Sequence, residues 1–369
     1  MALSGAGAPL KQPRPKVRSR RDGAAVPLDE DYKRLMNLLQ SSFGLEAEPY
    51  ASIARDAELP LDEVLARTQR LLDQRIIREI TPIFDTRALG YASMLVAAKV
   101  DVDNPQRAAR IVNSHPGVSH NYLRTHEFNL WFTVATPPDS ELGLAGTLEV
   151  LQSETGAESI RQLPTLTLFK INMNLEMEGG TDALAAAVDA QPPRELERQP
   201  YDEVDIAVIR ALQGPMEVTE RPYDAAAEGV GMATGRFLEH LEGMVERRLL
   251  RRVAAILHHR RAGFSANGMG VWRVPPDRVL EIGRRMAAVR GISHCYQRPT
   301  YADWPYSVFT MAHGRSKDEC DAILDGIAAE HRLHGADRAV LYSSTEFKKV
   351  RLHYFTDDYA DWEREHAGA

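Results

Sequence analysis

The chain repeats itself, and this duplication constrains its fold more than any other feature of the sequence. The matching segments lie at offsets that grow from 173 to 178 residues: 28–40 with 201–213, 75–78 with 248–251, 118–124 with 292–298, 132–133 with 309–310, and 169–170 with 347–348. The offset grows only where turns are expected, because loops tolerate insertions. Each copy is therefore predicted to be one folding unit of the same design.

Composition narrows the class of protein. The 369 residues are 44% hydrophobic and 26% charged, with a net charge of −7, which is ordinary for a soluble globular protein and argues against a dedicated DNA-binding protein. We expect no transmembrane helix and no export signal, and hence a cytoplasmic protein. The two cysteines, Cys295 and Cys320, have no metal-binding spacing, so we expect reduced thiols and no metal site.

Each copy divides into a helical part and a part that alternates strand and helix. Three short helices followed by an extended segment predict a winged helix-turn-helix unit. The order strand, helix, hairpin, helix, strand that follows is βαββαβ and predicts a ferredoxin-like domain. The fold class is therefore α+β, a tandem duplication of these two units.

The predicted domains follow from this pattern. The boundaries in chain order are a disordered basic tail at 1–27, helix-turn-helix unit 1 at 28–90, ferredoxin-like domain 1 at 91–178, a linker at 179–200, helix-turn-helix unit 2 at 201–263, ferredoxin-like domain 2 at 264–356, and a C-terminal tail at 357–369. The last strands are predicted at about 165–175 and 345–354. The first tail and the linker are rich in small residues and proline, which cannot bury enough apolar surface to order themselves.

The two hairpins carry motifs that are similar to a known family. A helix-turn-helix followed by βαββαβ resembles the Lrp/AsnC regulators. Within that group, His120-Asn121-Tyr122-Leu123-Arg124 with Asn129–Thr133 is similar to the first kind of siroheme decarboxylase subunit. Segments 263–272, 294–299, 303–306 and 309–314 are similar to the second kind. The chain thus resembles a siroheme decarboxylase that carries both subunit types, over residues 28 to 355.

The resemblance implies an enzyme and a substrate. Members of that family are carboxy-lyases that convert siroheme to 12,18-didecarboxysiroheme by removing two acetate carboxyl groups, for heme d1 or the alternative heme route. It implies an internal pseudo-dimer of the two repeats, with a further homodimer left open. No cofactor is implied beyond the iron of the siroheme substrate.

Side-chain alternation predicts which residues meet the substrate. His120, Tyr122, Arg124 and His126 share one face of a strand, and His294, Tyr296 and Arg298 do so in the second copy. Because a ferredoxin-like sheet has helices on one side only, and because unpaired buried charge is costly, we expect these rows on the open side. Two such sheets facing each other predict a cleft with a polar and aromatic floor.

These residue types suit decarboxylation of a polycarboxylate. His120 and His294 are the predicted catalytic pair, since histidine supplies a proton near neutral pH. Arg124 and Arg298 would orient carboxylates through paired hydrogen bonds, and the two tyrosines would stack or hydrogen-bond. Further candidates for substrate binding are the repeat-equivalent lysines Lys170 and Lys348 on the last strands and Trp272. His126 and His313 are second-rank candidates, because they have no clear repeat partner.

Two other functions fit parts of the sequence. The helix-turn-helix units favour an Lrp-type transcription regulator, but the second helix of the motif begins Leu61-Asp62-Glu63, and these carboxylates would repel phosphates. A heme-binding sensor without catalysis needs the same cleft as the enzyme. A strand histidine is more often a plain hydrogen-bonded residue than a catalyst, and one of the histidines could instead be an axial ligand of the iron. Trp272 and Trp304 fit core or interface packing at least as well as a ligand site.

Overall fold

A computed structural model describes residues 29–41, 43–171, 198–257 and 266–366. The predicted tail at 1–27 and nearly all of the predicted linker at 179–200 lie outside these residues. No helix in the described ranges is long and apolar enough to cross a membrane.

The two helix-turn-helix units form one body. The elements of the first unit are α1 (Glu30–Ser41), α2 (Pro49–Ala57), α3 (Leu61–Asp73) and β1 (Ile77–Phe84). Those of the second are α6 (Glu203–Leu212), α7 (Asp224–Gly229), α8 (Thr234–Glu246) and β7 (Leu250–Leu257). β1 pairs with β7 in antiparallel fashion, so each wing is a single strand that finds its partner in the other repeat. Buried side chains of both units, among them Leu39 and Leu241, share one core.

The two ferredoxin-like domains contribute the remaining elements. Domain 1 consists of β2 (Ala92–Lys99), α4 (Pro105–Ser114), β3 (Val118–Arg124), β4 (Leu130–Thr136), α5 (Gly143–Thr155), β5 (Ser159–Leu163) and β6 (Thr167–Ile171). Domain 2 consists of β8 (Ala266–Trp272), α9 (Val279–Ala288), β9 (Ile292–Gln297), β10 (Val308–Gly314), α10 (Lys317–His331) and β11 (Arg338–Lys349). The predicted element order is confirmed in domain 2, whereas domain 1 has two strands, β5 and β6, where one last strand was predicted.

The last strand of each repeat passes from its own sheet to the sheet of the other repeat. The nine strands follow the order β5-β2-β4-β3-β11-β8-β10-β9-β6. The first half of β11 pairs with β8 and the second half with β3, while β5 pairs with β2 and β6 with β9. The last strands predicted from the sequence, at about 165–175 and 345–354, covered only β6 in repeat 1 and only the second half of β11 in repeat 2. In repeat 1, Pro164 lacks an amide proton and separates β5 from β6, which obscured their continuity.

The crossing strands make the two sheets face each other across an apolar interior. The helices cover the outer faces, where Phe132 and Val118 pack in domain 1 and Cys295 in domain 2. The inner faces meet in a core of buried side chains from both repeats: Ala97, Phe128, Trp131, Leu163, Met269, Val271, Trp304, Phe309 and Leu341. The prediction of an open cleft between the sheets is therefore wrong at its centre, because large apolar side chains fill the space between the two inner faces.

The register of the hairpins corrects one detail of the repeat. Trp131 lies opposite Tyr122, and Phe309 lies opposite Tyr296. Trp131 and Phe309 are therefore the equivalent residues, at an offset of 178, and the sequence match of Phe132 with Phe309 is wrong by one residue. A slip of one residue places a side chain on the opposite face of a strand, so only the structure shows which residues oppose the histidines.

The segment 357–369, predicted as a tail, contains a packed helix, α11 (Asp358–His366). Tyr359 and Trp362 are buried, and the Trp362 ring lies 4.5 Å from the His115 ring at an interplanar angle of 77°. This amphipathic segment is short and strongly polar, so its apolar stripe gave too weak a signal in the sequence.

Candidate active site

Each repeat carries a row of three side chains on the inner face of its hairpin strand. In β3 the rings of His120 and Tyr122 are 6.2 Å apart, and the Arg124 guanidinium lies 5.7 Å from the Tyr122 ring centre. In β9 the corresponding distances are 6.0 Å between His294 and Tyr296 and 5.0 Å from Arg298 to Tyr296. The alternation therefore correctly predicts that these six residues form two equivalent rows.

The two arginines are the most unusual members of these rows. Arg124 donates through Nη1 to the carbonyl oxygen of Leu341 (3.1 Å), and Arg298 donates to that of Leu163, the repeat equivalent of Leu341. Each guanidinium also lies against a second aromatic ring, 5.8 Å from Trp131 and 5.4 Å from Phe309. Each arginine thus contacts the last strand of the other repeat where that strand passes from one sheet to the other.

Neither arginine is paired with a carboxylate among the described residues, and each has a buried Nε without a hydrogen-bond partner there. Burial lowers the pKa of both guanidinium groups to about 10. A buried cation without a counter-ion is costly, so this arrangement is typical of a site that an anionic ligand completes.

The two histidines have matching serine partners. Ser119 Oγ lies 2.9 Å from His120 Nδ1, and Ser293 Oγ lies 2.7 Å from His294 Nδ1. These contacts fix the ring orientation and leave Nε2 as the second polar atom of each ring. Burial, followed by the charges of Lys349 and Arg78, lowers the pKa of His120 to about 4. A pKa of about 4 does not meet the prediction that His120 is a proton donor poised near neutral pH.

His126 and His313 have different surroundings. His126 accepts a hydrogen bond from the Phe128 amide through Nδ1 (3.1 Å), and its ring lies 5.3 Å from Trp304. It therefore sits at the rim of the apolar interior rather than in the row of Arg124. His313 shares the inner face of β10 with Met311 and Phe309, at the end of the strand.

Three predicted substrate contacts lie on the helix side of the sheets. Lys348 donates to the carbonyl oxygens of Asn113 (3.0 Å) and His115 (3.4 Å) at the end of α4. Lys170 is buried beside the Cys295 thiol, and burial lowers its pKa. Irregular register in β11 and β6 rotates both lysines to this side. Trp272 is fully buried there and donates to Thr310 Oγ1 (2.9 Å), so it serves packing.

Two cations lie beside His120. The sequence places Lys348 and Lys349 on opposite faces of the last strand without deciding which face is open, and it gives no sign that Arg78 is nearby. Lys349 is the register partner of His120, and Arg78 donates from β1 to the Lys349 carbonyl oxygen (3.0 Å). For Trp304 the sequence favours core or interface packing at least as much as a ligand site, and the residue is fully buried against Trp131 and Phe128 of the other repeat. The doublet Lys348-Lys349 offered a signal, but its faces depend on the irregular register.

A cavity of about 1040 Å³ opens next to Arg298. Its wall includes the cationic residues Arg273, Arg278 and Arg332 together with Tyr301 and a single acidic residue, Asp337. Its volume is at the upper end of ordinary ligand pockets, and its charge favours an anion. Within the described ranges, no group of three or more His, Cys, Asp or Glu residues is arranged to hold a metal ion.

The fold and the two rows define a class, a fused pair of helix-turn-helix and AsnC-like units with one polar site in each repeat. The AsnC-like ligand binding domain family matches residues 88–170 and 261–348, and the siroheme decarboxylase NirDL-like HTH domain family matches 32–78 and 205–251. The chain belongs to the siroheme decarboxylase family.

Relatives of both full length and half length match the chain. The siroheme decarboxylase of Hydrogenobacter thermophilus is 37% identical, over 92% of this chain and 99% of that protein. The siroheme decarboxylase beta subunit of Desulfovibrio desulfuricans is 38% identical over 41% of this chain and 94% of its own length. The crystal structure of the siroheme decarboxylase NirDL in co-complex with an iron-uroporphyrin III analogue is 32% identical, covers 92% of this chain and 99% of that chain, and has a TM-score of 0.72.

Proposed function

We propose that this chain removes two acetate carboxyl groups from siroheme and yields 12,18-didecarboxysiroheme, with one row of residues acting in each repeat. The observation that carries the proposal is the pair of repeat-equivalent arginines, each half-buried with a fully buried Nε and without a carboxylate partner among the described residues. A substrate with acetate side chains supplies the missing anions, and the family relationship identifies it as siroheme.

The rows supply what the reaction requires. The bond between the acetate methylene carbon and the carboxyl carbon breaks, the electron pair moves into the macrocycle, CO2 leaves, and the methylene carbon takes one proton to become a methyl group. Arg124 and Arg298 orient the carboxylate, because a guanidinium offers parallel N–H donors. Tyr122 and Tyr296 hold the flat ring or the acetate, and His120 and His294 deliver the proton.

Substrate binding itself raises the pKa of the proton donor in repeat 1. The pKa of His120 is about 4 because the ring is buried and because Lys349 and Arg78 are positively charged. An incoming carboxylate cancels this field and raises the pKa of the imidazole. His120 is therefore neutral in the free protein and takes up its proton when the anionic substrate is bound.

The remaining properties follow from this assignment. The reaction needs no cofactor beyond the iron of the substrate, and the product feeds heme d1 or alternative heme biosynthesis in the cytoplasm. The two repeats form the functional pair, just as relatives exist with separate alpha and beta subunits. A further homodimer is consistent with the fold and is tested by measuring the mass of the particle in solution by light scattering.

The regulator alternative is not favoured. Arg67 on α3, the helix that would approach DNA, forms an ion pair with Glu63 and lies within 4 Å of carboxylate oxygens of Asp29 and Asp31. These carboxylates neutralise the cation that would meet a phosphate.

Anaerobic incubation of the purified protein with siroheme, followed by mass spectrometry of the tetrapyrrole, tests the proposal. We expect stepwise loss of two CO2 molecules. Siroheme that is bound, as shown by its altered absorption spectrum, but chemically unchanged would overturn the enzyme assignment and favour the non-catalytic heme sensor.

A further inference from the structure

The cavity beside Arg298 has a strongly cationic wall. Besides Arg298, the described residues that line it include three further arginines and a single acidic residue: Arg273, Arg278, Arg332 and Asp337. Arg278 lies 3.8 Å from a carboxylate oxygen of Glu281, whereas Arg273 and Arg332 form no ion pair with a described residue. The cavity therefore has a surplus of positive charge that an anion can neutralise.

Two residues of this wall carry buried polar atoms that lack hydrogen-bond partners among the described residues. These atoms are Nε of Arg298 and Nε2 of His331, whose side chain is only 1% exposed. The carboxylate of Glu330 lies 3.8 Å from His331 Nε2, which is too far for a hydrogen bond. Because buried polar groups are normally paired, two such atoms on one wall favour a ligand with hydrogen-bonding oxygens.

Arg332 occupies a backbone position that normally takes glycine. It directly follows α10, and its backbone is left-handed (φ 57°, ψ 38°). The equivalent residue in repeat 1, directly after α5, is Gly156 (φ 68°, ψ 27°). This conformation is unfavourable for a residue with a Cβ atom and costs glycine nothing. Helix termination therefore does not account for the arginine, whose side chain contributes to the cavity wall.

The equivalent positions in repeat 1 are already paired. The strand registers make Lys99 the equivalent of Arg273, and Lys99 forms ion pairs with two glutamates. His331 is the last residue of α10, and its equivalent at the end of α5 is Thr155. The Thr155 hydroxyl donates to the carbonyl oxygen of Leu151 (2.6 Å). The unpaired cations and the unpaired imidazole nitrogen are thus features of repeat 2.

The substrate carries carboxylates that suit this cavity. Siroheme has propionate side chains that the reaction leaves intact, in addition to acetates. Arg298 belongs both to the row of repeat 2 and to the wall of the cavity. A tetrapyrrole whose acetate lies against this row can therefore extend a longer propionate past Arg298. Guanidinium groups bind carboxylates through paired hydrogen bonds, so the arginines of the wall are suitable partners.

We propose that the cavity lined by Arg273, Arg278 and Arg332 binds propionate carboxylates of the tetrapyrrole, next to the row that holds the reacting acetate. This inference rests on the proposed function and adds a binding site for a part of the substrate that does not react.

Absorption titrations with two iron porphyrins at low ionic strength test the site. Iron uroporphyrin carries acetates and propionates, whereas iron coproporphyrin keeps the propionates and has methyl groups in place of the acetates. Arg332→Gly introduces the residue that repeat 1 has at this position, so α10 keeps a favourable C-terminus. We expect the Kd of both porphyrins to rise about fivefold in this variant, and further in an Arg273→Gln, Arg332→Gly double variant.

A row variant distinguishes the cavity from the reacting site. Arg124→Met should weaken the binding of iron uroporphyrin more than that of iron coproporphyrin, because it removes the partner of an acetate. The cavity variants should instead weaken both to a similar extent. An unchanged Kd for both porphyrins in the double variant, or a loss confined to iron uroporphyrin, would overturn the assignment of propionates to the cavity.

Controls separate binding from folding and this inference from the proposed function. Arg284→Gln removes an exposed positive charge from α9 outside the cavity wall and should leave both Kd values unchanged. Arg332→Gly should unfold in urea at the wild-type midpoint or above it, because glycine relieves the left-handed backbone. If wild type converts siroheme and the double variant binds both porphyrins as wild type does, only this inference fails. If wild type leaves siroheme unchanged, the proposed function fails, and the titrations still report on the cavity.

Discussion

Arg124 and Arg298 show how single residues link stability and binding in this protein. Each guanidinium lies against two aromatic rings and donates to one carbonyl oxygen, yet keeps a buried Nε without a partner among the described residues. A buried cation with incomplete partners contributes little to folding and can oppose it. We infer that these arginines contribute to ligand affinity and not to the stability of the fold.

Arg124→Met tests this separation. The substitution keeps the apolar stem and removes the charge, at the expense of the hydrogen bond to Leu341. We expect the free energy of unfolding to change by no more than about 1 kcal/mol, because the lost hydrogen bond and the relieved desolvation offset each other. Affinity for an iron uroporphyrin, measured by absorption titration, should fall about tenfold or more. Strong destabilisation with unchanged affinity would show a structural role instead.

At the scale of elements, α11 depends on a histidine that stays neutral. His115 is buried, its Nδ1 accepts from the Gly117 amide (3.0 Å), and its ring packs on Trp362. Burial, followed by the charges of Lys348 and His366, lowers its pKa to about 3. Below about pH 6.5 the unfolded chain takes up a proton at this residue that the folded chain excludes, so stability is lost as the pH falls toward 3.

His115→Asn should make the protein less sensitive to acid. Linkage with a folded pKa of about 3 and an unfolded pKa of about 6.5 attributes about 2 kcal/mol of the stability lost between pH 7.5 and pH 5 to His115. Urea unfolding at the two pH values should show a drop that is smaller in the variant by about this amount. Parallel pH dependence in both proteins would contradict a buried neutral His115.

The loop between β9 and β10 packs its tryptophan into the core between the two repeats. Trp304 is fully buried, with ring centres 5.3 Å from Trp131 and 5.4 Å from Phe128 of the other repeat. Trp304→Ala should lower the free energy of unfolding by about 3–5 kcal/mol in urea titrations, since the cavity left behind cannot collapse fully. Val102→Ala, at a residue that is 75% exposed, is the matched control and should change it by less than about 0.5 kcal/mol. A small effect of Trp304→Ala would mean that the loop is not part of the inter-repeat core.

Sequence reasoning succeeds where one strand or helix carries the information. The alternation in β3 and β9 places His120 with Arg124 and His294 with Arg298, and the repeat identifies the second row from the first. It fails where two elements that are distant in sequence meet. Lys349 reaches His120 only because β11 crosses to the other sheet with an irregular register, and the pattern of one strand contains no information about its neighbour.

At the scale of the whole molecule, the two repeats are interlocked. β1 pairs with β7, β11 pairs with β3, and β6 pairs with β9, so each repeat completes the sheets of the other. Relatives named as separate alpha and beta subunits each match about 41% of this chain. The covalent connection between the repeats is thus expected to be dispensable once both are present.

Cutting the chain tests this expectation. Residues 1–190 and 191–369, co-expressed with a tag on one fragment, should copurify in equal amounts and convert siroheme. Either fragment alone should aggregate, because its strand edges and half of its shared core are uncovered. Two fragments that fold separately and do not associate would contradict the interlocked architecture.

Delivery of the two protons by the two equivalent histidines is tested with a His120→Ala, His294→Ala double variant, incubated anaerobically with siroheme and analysed by mass spectrometry beside wild type. We expect the double variant still to bind siroheme, as judged by its absorption spectrum, and to release neither CO2, while wild type releases both. Release of two CO2 by the double variant at the wild-type rate would contradict it.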